Sequence, residues 1–303
     1  MIIGIDHGYG MMKTANTMFK TGLTEYEKEP YTMQNVVKFN GKYYVCGSGR
    51  QTLILDKTLD DSYYILTLAA IAKELCIRGA GTKANVTLAI GLPLTSFGRY
   101  KDKFIKYLKR STLQPVRFEF EGIAYKVTID DVKAYPQGYS AIADYIDKLK
   151  KEPSVIICDI GSWTVDVMRI DEGTPNAETC RSLELGIIRM IDKTLEEVRR
   201  NTGLSITAPQ VEQILKNQQC SIDEKAKSII INQGKAYVNK IFRTLTESGL
   251  DVAAVPIIFI GGGALFIKQN IGNNRVCSMS VVEDIKANAI GYEKIARTLG
   301  AKQ

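Results

Sequence analysis

The chain has 303 residues, a formal net charge of +7, 45% hydrophobic residues and 24% charged residues. This ordinary globular composition excludes a disordered chain, a collagen and a disulfide scaffold, and the length suits about two domains of roughly 100–200 residues. The longest uncharged stretch, Val252–Ile267, has 16 residues, fewer than the roughly 18 that a membrane-spanning helix needs. We therefore expect a soluble protein.

The start of the chain and its cysteines bear on location and on metal binding. The sequence begins MIIGID and lacks the basic, apolar and small-residue order of a secretory signal, so we expect a cytoplasmic protein. The six cysteines are widely spaced without a C-x-x-C pair, and the chain has one histidine. Together these features exclude a zinc site and favour reduced, mostly buried thiols.

The first part of the chain opens with a strand that ends in an acid. The apolar run Ile2–Asp6 predicts a short buried strand, His7–Gly10 a turn and Met11–Phe19 a returning strand. Helical periodicity follows over Tyr63–Arg78, and Val86–Gly91 predicts a further strand. This half therefore mixes helices with strands.

The segment Arg99–Arg117 concentrates the positive charge. It holds seven basic residues against one acid, and apolar residues recur through it at helical spacing, so we expect an amphipathic helix with a basic face. Such a face is either simply solvated or makes a contact with a protein or nucleic acid. A hairpin over Val116–Ile129, turning at Glu121–Gly122, and a helix over Tyr139–Lys150 complete this half.

The second part of the chain repeats the opening pattern. After the polar, proline-bearing linker Lys150–Pro153, Val155–Asp159 predicts a buried strand, Ile160–Trp163 a turn and Thr164–Ile170 a returning strand. A strand, a turn that follows an aspartate and contains glycine, and a second strand therefore occur twice. This duplication is the most informative feature of the sequence.

The remaining elements continue the alternation of helices and strands. Helical periodicity marks Gly186–Arg200, Asp223–Leu245 and Glu283–Leu299. A strand is predicted over Pro256–Ile260, directly before three glycines. Helices interleaved with strands in both halves indicate the α/β fold class.

The first glycine-rich turn has the chemistry of a phosphate-binding loop. Gly8 and Gly10 let backbone N–H groups approach a polyanion closely. Lys13 would supply a point charge to phosphate, and Asp6 would hold Mg²⁺ through water. Because one such turn is more often structural than functional, the interpretation depends on the second copy.

The second turn and the glycine triplet supply that support. Asp159 and Gly161 repeat the acid and the glycine, and hydroxyl groups accompany them. Gly261–Gly263 would let a flat nucleoside lie against the backbone, next to a helix N-terminus that favours phosphate. The alternative for the triplet is a close-packed turn from strand to helix.

Three motifs resemble the phosphate 1, phosphate 2 and adenosine motifs of the actin superfamily of ATPases. They are Asp-x-Gly-x-Gly-x-x-Lys at 6–13, Asp-x-Gly-x-x-Thr at 159–164 and Gly-Gly-Gly-Ala at 261–264. The two connecting segments of that superfamily are recognisable at Pro136–Gly138 and Asn288–Gly291. The short chain, with Ile90–Pro93 after a strand, is similar to the bacterial ParM-type actins that segregate plasmids.

The resemblance implies an actin-like fold, two RNase H-like domains around a central nucleotide cleft. Domain I would be residues 1–150 with a C-terminal helix over 283–303 returning to it, and domain II would be 151–282. The implied cofactors are ATP or ADP, with GTP as the alternative, and Mg²⁺ facing Asp6 and Asp159. The implied nucleotide-binding residues are Gly8, Tyr9, Gly10, Lys13, Gly161, Ser162, Trp163, Thr164, Gly261, Gly262, Gly263 and Ala264.

Three bulky residues depart from the commonest motifs. His7 and Tyr9 stand in the first turn and Trp163 in the second, and they bear on the loop conformations and on the choice between ATP and GTP. A catalytic role for His7 is disfavoured, because Asp6 and Gly8 suffice for the chemistry of the loop.

Gln137 bears on the type of reaction. By the resemblance it stands where the family places the residue that handles the attacking water, and it joins Asp6 and Asp159 as a catalytic residue. An amide cannot deprotonate a sugar hydroxyl but can orient water, which favours hydrolysis over a sugar or acetate kinase. Its alternative role is to cap a helix near Gly138. Asp166 either belongs to the metal and water network or only pairs strands.

The resemblance therefore implies an ATPase that polymerises head to tail into nucleotide-dependent filaments and segregates plasmid DNA through a DNA-binding adaptor protein. It implies no direct contact with nucleic acid and none with a membrane. The basic segment Arg99–Arg117 would contact a filament neighbour or the adaptor. Two alternatives stay open, a non-polymerising actin-like scaffold and a sugar or acetate kinase of the same superfamily.

Overall fold

The structure is a computed structural model that describes residues 1–49, 56–110, 114–145, 149–272 and 274–300. The chain divides into two compact units, unit 1 with Met1–Asp144 and Lys286–Gln303, and unit 2 with Tyr145–Ile285. Each unit has one β-sheet with helices packed against it, so the prediction of an α/β fold is confirmed.

The sheet of unit 1 has nine strands in its described part. They are β1 (Ile2–His7), β2 (Met11–Thr14), β3 (Met18–Lys20), β4 (Leu23–Tyr26), β5 (Val36–Phe39), β6 (Lys42–Cys46), β7 (Lys83–Leu92), β8 (Val116–Phe120) and β9 (Ile123–Pro136). Their order is β3-β2-β1-β7-β9-β8-β5-β6-β4. At the centre, β7 runs parallel to both β1 and β9, so the carboxyl ends of these three strands lie at one edge.

Helices cover both faces of this sheet. They are α1 (Ser62–Ile77), α2 (Leu94–Leu108) and the C-terminal helix, α7 in chain order (Ala287–Gly300). Leu88 and Ile90 of β7 belong to the core formed with α1 and α2, whereas Ala89 between them packs with Tyr292 of α7. Because successive residues of a strand face opposite sides, α7 covers the face opposite to α1 and α2.

Buried ion pairs fix the helices to the strand that carries the first acid. The Glu293 carboxylate on α7 accepts hydrogen bonds from the backbone N–H of Gly4 on β1 (3.2 Å) and from Arg78 (2.8 Å). Arg78 follows α1 and also donates to the Ile2 carbonyl (3.1 Å). Glu293 of α7 and Arg78, the residue after α1, therefore both bond to the first half of β1.

Unit 2 has a smaller sheet of five strands in its described part. They are β10 (Ser154–Ile160), β11 (Val165–Asp171), β12 (Thr174–Leu183), β13 (Ile257–Ile260) and β14 (Met279–Val281), in the order β12-β11-β10-β13-β14. The helices are α3 (Ile187–Thr202), α4 (Ala208–Leu215), α5 (Glu224–Glu247) and α6 (Ala264–Asn270). Alternate residues of β10, Ile156, Cys158 and Ile160, lie in the core shared with these helices. No helix in the described ranges combines the length and apolar character that a membrane span requires.

Three predicted elements differ from their patterns within the described residues. The predicted returning strand Met11–Phe19 is two strands, because Thr14 and Thr17 exchange hydrogen bonds in a tight turn between β2 and β3. The helix predicted over Tyr139–Lys150 is a 3-10 helix over Ser140–Tyr145. Residues 146–148 lie outside the described ranges. The last helix begins at Ala287 and not at Glu283, and the end of that prediction, 301–303, lies outside the described ranges as well.

The basic segment is only partly helical. α2 ends at Leu108, and Arg117 lies on β8, because Pro115 has no N–H and directs the chain into an extended conformation. Residues 111–113 lie outside the described ranges. Three basic residues pair with acids of unit 1: Lys103 with Asp56, Lys109 with Asp131 and Arg110 with Asp61. Part of the predicted basic face is therefore neutralised within its own unit.

Candidate functional site

The first hairpin places a buried acid opposite a lysine. Asp6 of β1 pairs in register with Lys13 of β2, and the Lys13 ammonium lies 3.1 Å from the Asp6 carboxylate. Asp6 is 2% exposed. β1 is parallel to β7, so this ion pair lies at the carboxyl edge of parallel strands, where α/β proteins place their ligands.

The tip of the first hairpin is closed too tightly for a side chain. A Cβ atom on Gly8 would lie 2.6 Å from the carbonyl oxygen of Met11. Thr21 fixes the tip from outside, with its hydroxyl donating to the Gly8 carbonyl (2.7 Å) and its N–H donating to the Gly10 carbonyl (3.0 Å). A glycine is therefore required at position 8 for a steric reason.

The second hairpin repeats this geometry in unit 2. A Cβ atom on Gly161 would lie 2.9 Å from the Thr164 carbonyl, to which the Gly161 N–H donates (2.9 Å). Asp159 of β10 is 3% exposed and pairs in register with Asp166 of β11. The Thr164 hydroxyl donates to the Asp166 carboxylate (3.0 Å). In both hairpins the acid precedes the constrained glycine by two residues, and the crowding carbonyl follows that glycine by three.

The N-terminus of α3 holds the tip of the second hairpin. Three backbone N–H groups donate to backbone carbonyls of the turn. Gly186 donates to Trp163 (3.0 Å), Ile187 to Gly161 (3.2 Å) and Ile188 to Ser162 (3.0 Å). A Cβ atom on Gly186 would overlap the backbone of Trp163. These donors satisfy N–H groups that a helix start leaves unpaired. The sequence analysis missed this support, since nothing near Gly186 identifies a partner so far back along the chain.

The glycine triplet packs against the second hairpin. Gly261 has φ of +85°, and a Cβ atom there would overlap the Asp159 carboxylate. A Cβ atom on Gly263 would overlap the Ile160 side chain, whereas one on Gly262 meets no described atom within 4 Å. The structure thus brings Asp159, the second turn and the triplet together, and it leaves Gly262 open to a ligand.

Gln137 lies on a turn that is pinned at several points. It follows β9, and its backbone N–H donates to the Leu92 carbonyl (2.9 Å). The next residue, Gly138, has φ of +81° and donates to the Asn288 side chain (2.9 Å). Within the described ranges the Gln137 side chain makes no hydrogen bond, so it does not cap the 3-10 helix.

His7 is a buried, neutral residue. Its Nε2 lies 2.9 Å from the Thr67 hydroxyl, which donates its own proton to the Tyr63 carbonyl (2.6 Å). Nε2 is therefore the donor, which fixes the tautomer. Burial, followed by the charge of Lys57, lowers the pKa of His7 to about 3. A group this weakly basic is not a general base near neutral pH.

Lys57 is a further residue at the first hairpin that the sequence analysis did not identify. Its ammonium donates to the His7 carbonyl and lies 4.7 Å from the centre of the Tyr9 ring.

Asp6, Asp159 and the other candidates form no cluster of three or more metal-ligating side chains within the described ranges.

The sequence of the chain matches two known families. The profile of the N-terminal domain of actin-like proteins matches residues 4–139, and that of the C-terminal domain of the archaeal MreB-like actin homologue matches residues 157–273. No curated protein matches the chain.

Several solved structures share the fold of the whole chain. Ta0583, an archaeal actin homologue solved in complex with ADP, is 19% identical with a TM-score of 0.74, covering 98% of this chain and 99% of that one. ParM of Bacillus thuringiensis, solved with ATP, is 16% identical with a TM-score of 0.68 and 99% of both chains covered. The Alp12 filament structure is 16% identical with a TM-score of 0.67, covering 99% of this chain and 98% of that one.

These matches and the two sheets confirm the predicted actin-like fold. They also agree with the predicted similarity to ParM, since ParM proteins are among the structures that share it. The chain belongs to the actin-like ATPase superfamily.

Proposed function

We propose that the chain binds and hydrolyses a nucleoside triphosphate, ATP first and GTP as the alternative, and polymerises head to tail into filaments controlled by the bound nucleotide. The duplicated hairpin carries this proposal, because each copy has a buried acid at a strand end and a glycine without room for a side chain. Proteins of this fold have been solved with ADP, with ATP and as a filament.

Each unit contributes its own residues to phosphate binding. In unit 1, the backbone of Gly8, Tyr9 and Gly10 and the ammonium of Lys13 would face phosphate oxygens. The Lys13 charge is shared with Asp6, which keeps its ammonium at the hairpin. In this proposal the domains are those given by the resemblance, with residues 1–150 and 283–303 in one and 151–282 in the other.

In unit 2, the second turn and the glycine triplet take the corresponding roles. Gly161, Ser162 and Thr164 would face phosphate, and Trp163, in the same turn, would also contact the nucleotide. Gly262 is the member of the triplet with open space beside it, which suits the flat face of a nucleoside. Ala264 follows as the first residue of α6.

The proposed metal is a hydrated Mg²⁺ ion, with the acids of the hairpins as its candidate partners. Asp6 and Asp159 are both at least 97% buried, and Asp159 stands directly opposite a second carboxylate, Asp166. Like charges at directly opposite positions destabilise a strand pair, and a cation relieves that repulsion. When bound, Mg²⁺ would neutralise charge on the phosphates. Asp6 and Asp159 would hold its water ligands, and Asp166 would extend the same network.

Gln137 would orient the water that attacks the terminal phosphate. The water oxygen forms a bond to the γ-phosphorus while the bond from that phosphorus to the β–γ bridging oxygen breaks, and the proton leaves with the phosphate or to solvent. The amide positions the water without removing its proton, because its basicity is negligible near pH 7. Hydrolysis that relies on such a residue is slow, which suits a protein whose filaments change with the state of the bound nucleotide.

Filament assembly would follow the state of the nucleotide. If the triphosphate favours a subunit contact over the diphosphate by about 1.4 kcal/mol, the concentration required for assembly changes about tenfold. A head-to-tail contact that does not close into a ring produces a filament. The proposed cargo is plasmid DNA, attached through a DNA-binding adaptor protein. The exposed basic residues of α2 that have no described acid beside them, such as Lys106, remain candidates for that contact.

Right-angle light scattering and phosphate release, measured in one cuvette after addition of Mg-ATP or Mg-GTP, test this proposal. A rise in scattering that requires triphosphate and decays as phosphate appears supports it and identifies the preferred nucleotide. Flat scattering without phosphate release, together with phosphate transfer to an added sugar or to acetate, would support a kinase. Nucleotide binding without turnover or assembly would support a scaffold.

A single substitution separates hydrolysis from binding. Gln137→Ala should bind ATP with unchanged affinity and hydrolyse it about 10-fold to 100-fold more slowly, because only the orientation of the water is lost. Single-turnover phosphate release and equilibrium binding of a fluorescent ATP analogue measure the two quantities separately. Wild-type turnover in this variant would remove Gln137 from the mechanism.

A further inference from the structure

We propose that Lys57 is a positioning residue for the first hairpin, and that it strengthens the binding of a nucleotide's phosphate chain there. The inference rests on the proposed nucleotide binding. Lys57 lies on the segment Asp56–Asp61 that leads into α1, about fifty residues after the hairpin along the chain, and only the fold brings the two together.

The contacts of Lys57 span the hairpin tip. Its ammonium donates a hydrogen bond to the His7 carbonyl, and the same ammonium lies 4.7 Å from the centre of the Tyr9 ring and 5.4 Å from that of Tyr63. A cation within about 6 Å of an aromatic ring is attracted to its face. One side chain therefore holds the backbone on one side of Gly8 and the side chain on the other.

This arrangement gives the two bulky residues of the first turn a function. The His7 ring is buried against Phe104, with the ring centres 5.0 Å apart, and is bonded to Thr67. It therefore fixes the residue whose carbonyl receives Lys57. The Tyr9 ring provides the second contact. With small residues at positions 7 and 9, Lys57 would keep its bond to the backbone carbonyl of residue 7. The ring that fixes that residue and the ring that Lys57 contacts would both be lost.

The segment that carries Lys57 is itself held in place. The Asp56 carboxylate accepts hydrogen bonds from the N–H (3.0 Å) and the hydroxyl (2.6 Å) of Thr58, and it pairs with Lys103 of α2. The Lys57 side chain is thus presented from a fixed backbone, which reduces the entropy cost of holding it at the hairpin.

The charge of Lys57 also matters at the tip. Lys13 is matched by Asp6 at 3.1 Å, so these two groups together are neutral. Lys57 is a second ammonium group at this tip, beside the backbone N–H groups that would face phosphate. Removing it would therefore both loosen the tip and weaken the attraction for a polyanion.

The test uses the full chain and compares Lys57→Met with Lys57→Arg. Equilibrium binding of Mg-ATP is measured by calorimetry at several salt concentrations, with thermal unfolding as the check on folding. Lys57→Met should bind about tenfold more weakly, with a smaller dependence on salt, and Lys57→Arg should restore most of the affinity. The matched control is Lys83→Met, an exposed lysine at the opposite end of the parallel strands, which should bind like the wild type.

A double-mutant cycle with Tyr9→Leu separates positioning from simple charge. Tyr9→Leu should weaken binding in the wild-type background and have little further effect in Lys57→Met, since the contact is already absent there. If Lys57→Met fails to fold, Tyr9→Leu and Lys57→Arg carry the test. Additive effects, or a salt dependence equal to that of the wild type, overturn the proposal.

The outcome for the wild type separates this inference from the proposed function. If the wild-type chain binds no nucleotide, both are overturned. If it binds Mg-ATP and Lys57→Met binds equally well, the proposed function stands and the role of Lys57 is overturned.

Discussion

The two hairpins share one backbone design and differ in charge. In the first, Asp6 stands opposite Lys13 and the pair is neutral. In the second, the register places Asp159 directly opposite Asp166, so acids occupy both positions of the strand pair. The same strand, turn and strand can therefore present a balanced pair in one unit and an acidic pair in the other. The acidic pair is the stronger candidate for holding a cation, because a cation relieves its repulsion.

The hairpins also differ in how their tips are held. The residue after the acid is His7 in the first, where Lys57 bonds to its carbonyl. It is Ile160 in the second, a fully buried core residue, and the backbone of α3 bonds to the tip beyond it. Side chains support the first tip and a helix terminus supports the second. Side-chain substitutions should therefore alter the first tip more than the second.

The largest effect is expected from removing the acid of the second hairpin. Asp159→Ala should lower Mg-dependent phosphate release by roughly 100-fold or more, because the carboxylate that would hold the metal's water ligands is lost. Turnover at saturating Mg-ATP measures this. The matched control is Asp171→Ala at the other end of the same hairpin, where the acid is paired with Arg169. Asp171→Ala should retain turnover, and similar losses in both variants would contradict the assignment.

The next effect concerns the pH dependence of stability. Because the pKa of His7 is about 3 in the folded chain and about 6.5 when unfolded, the unfolded chain binds the proton first. The contribution of His7 to stability is complete above pH 6.5 and is lost as the pH falls from 6.5 toward 3. Between pH 6.5 and 4.5 the loss amounts to about 2 kcal/mol.

The substitution His7→Ile copies the second hairpin into the first and tests this. Thr67 keeps its bond to the Tyr63 carbonyl, so no buried hydroxyl is orphaned. The free energy of unfolding in urea, measured from pH 7.5 to 4.5, should fall less steeply for His7→Ile than for the wild type. Parallel curves would mean that the pKa of His7 is the same in the folded and the unfolded chain.

The sequence predicted the parts of this site that short patterns encode. Ile2–Asp6 and Val155–Asp159 are uninterrupted apolar runs that end in Asp-x-Gly, and both are central strands. Two further local signals were overlooked. Asn40–Gly41, with φ of +50° and +80°, joins β5 to β6 as a hairpin turn. Thr207 and Gln210 form a capping box at the start of α4.

Other features could not be predicted because they depend on tertiary contacts. The support of the second tip by Gly186 and α3, and of the first tip by Lys57, joins segments with no pattern in common. The helix predicted over Tyr139–Lys150 has the right apolar spacing, but Ser140–Tyr145 forms a 3-10 helix. There the Ser140 carbonyl lies so close to Gly291 of α7 that a Cβ atom would overlap it.

Replacing the constrained glycine of each hairpin with alanine should lower the free energy of unfolding by different amounts. Gly8→Ala brings a methyl group 2.6 Å from a carbonyl oxygen and Gly161→Ala brings one to 2.9 Å, so Gly8→Ala should cost more, about 2 kcal/mol against about 1 kcal/mol. The control is Gly98→Ala in α2, where the methyl group meets open space. This substitution should raise stability by about 0.5–1 kcal/mol through helix propensity. Urea unfolding ranks the three, and a larger loss at Gly161 would contradict the geometric comparison.

The smallest expected effect tests the charge difference itself. Asp166→Asn removes one of the two facing charges and keeps an oxygen to accept the Thr164 hydroxyl. Without Mg²⁺ the variant should melt at a slightly higher temperature than the wild type. This corresponds to a gain of less than about 1 kcal/mol in the free energy of unfolding. With Mg-ADP the order should reverse, because the metal loses a carboxylate that holds its water. Thermal unfolding with and without Mg-ADP measures both signs. If Asp166 only pairs strands, the stabilisation by Mg-ADP stays equal in the two proteins, and the acidic character of the second hairpin then has no part in metal binding.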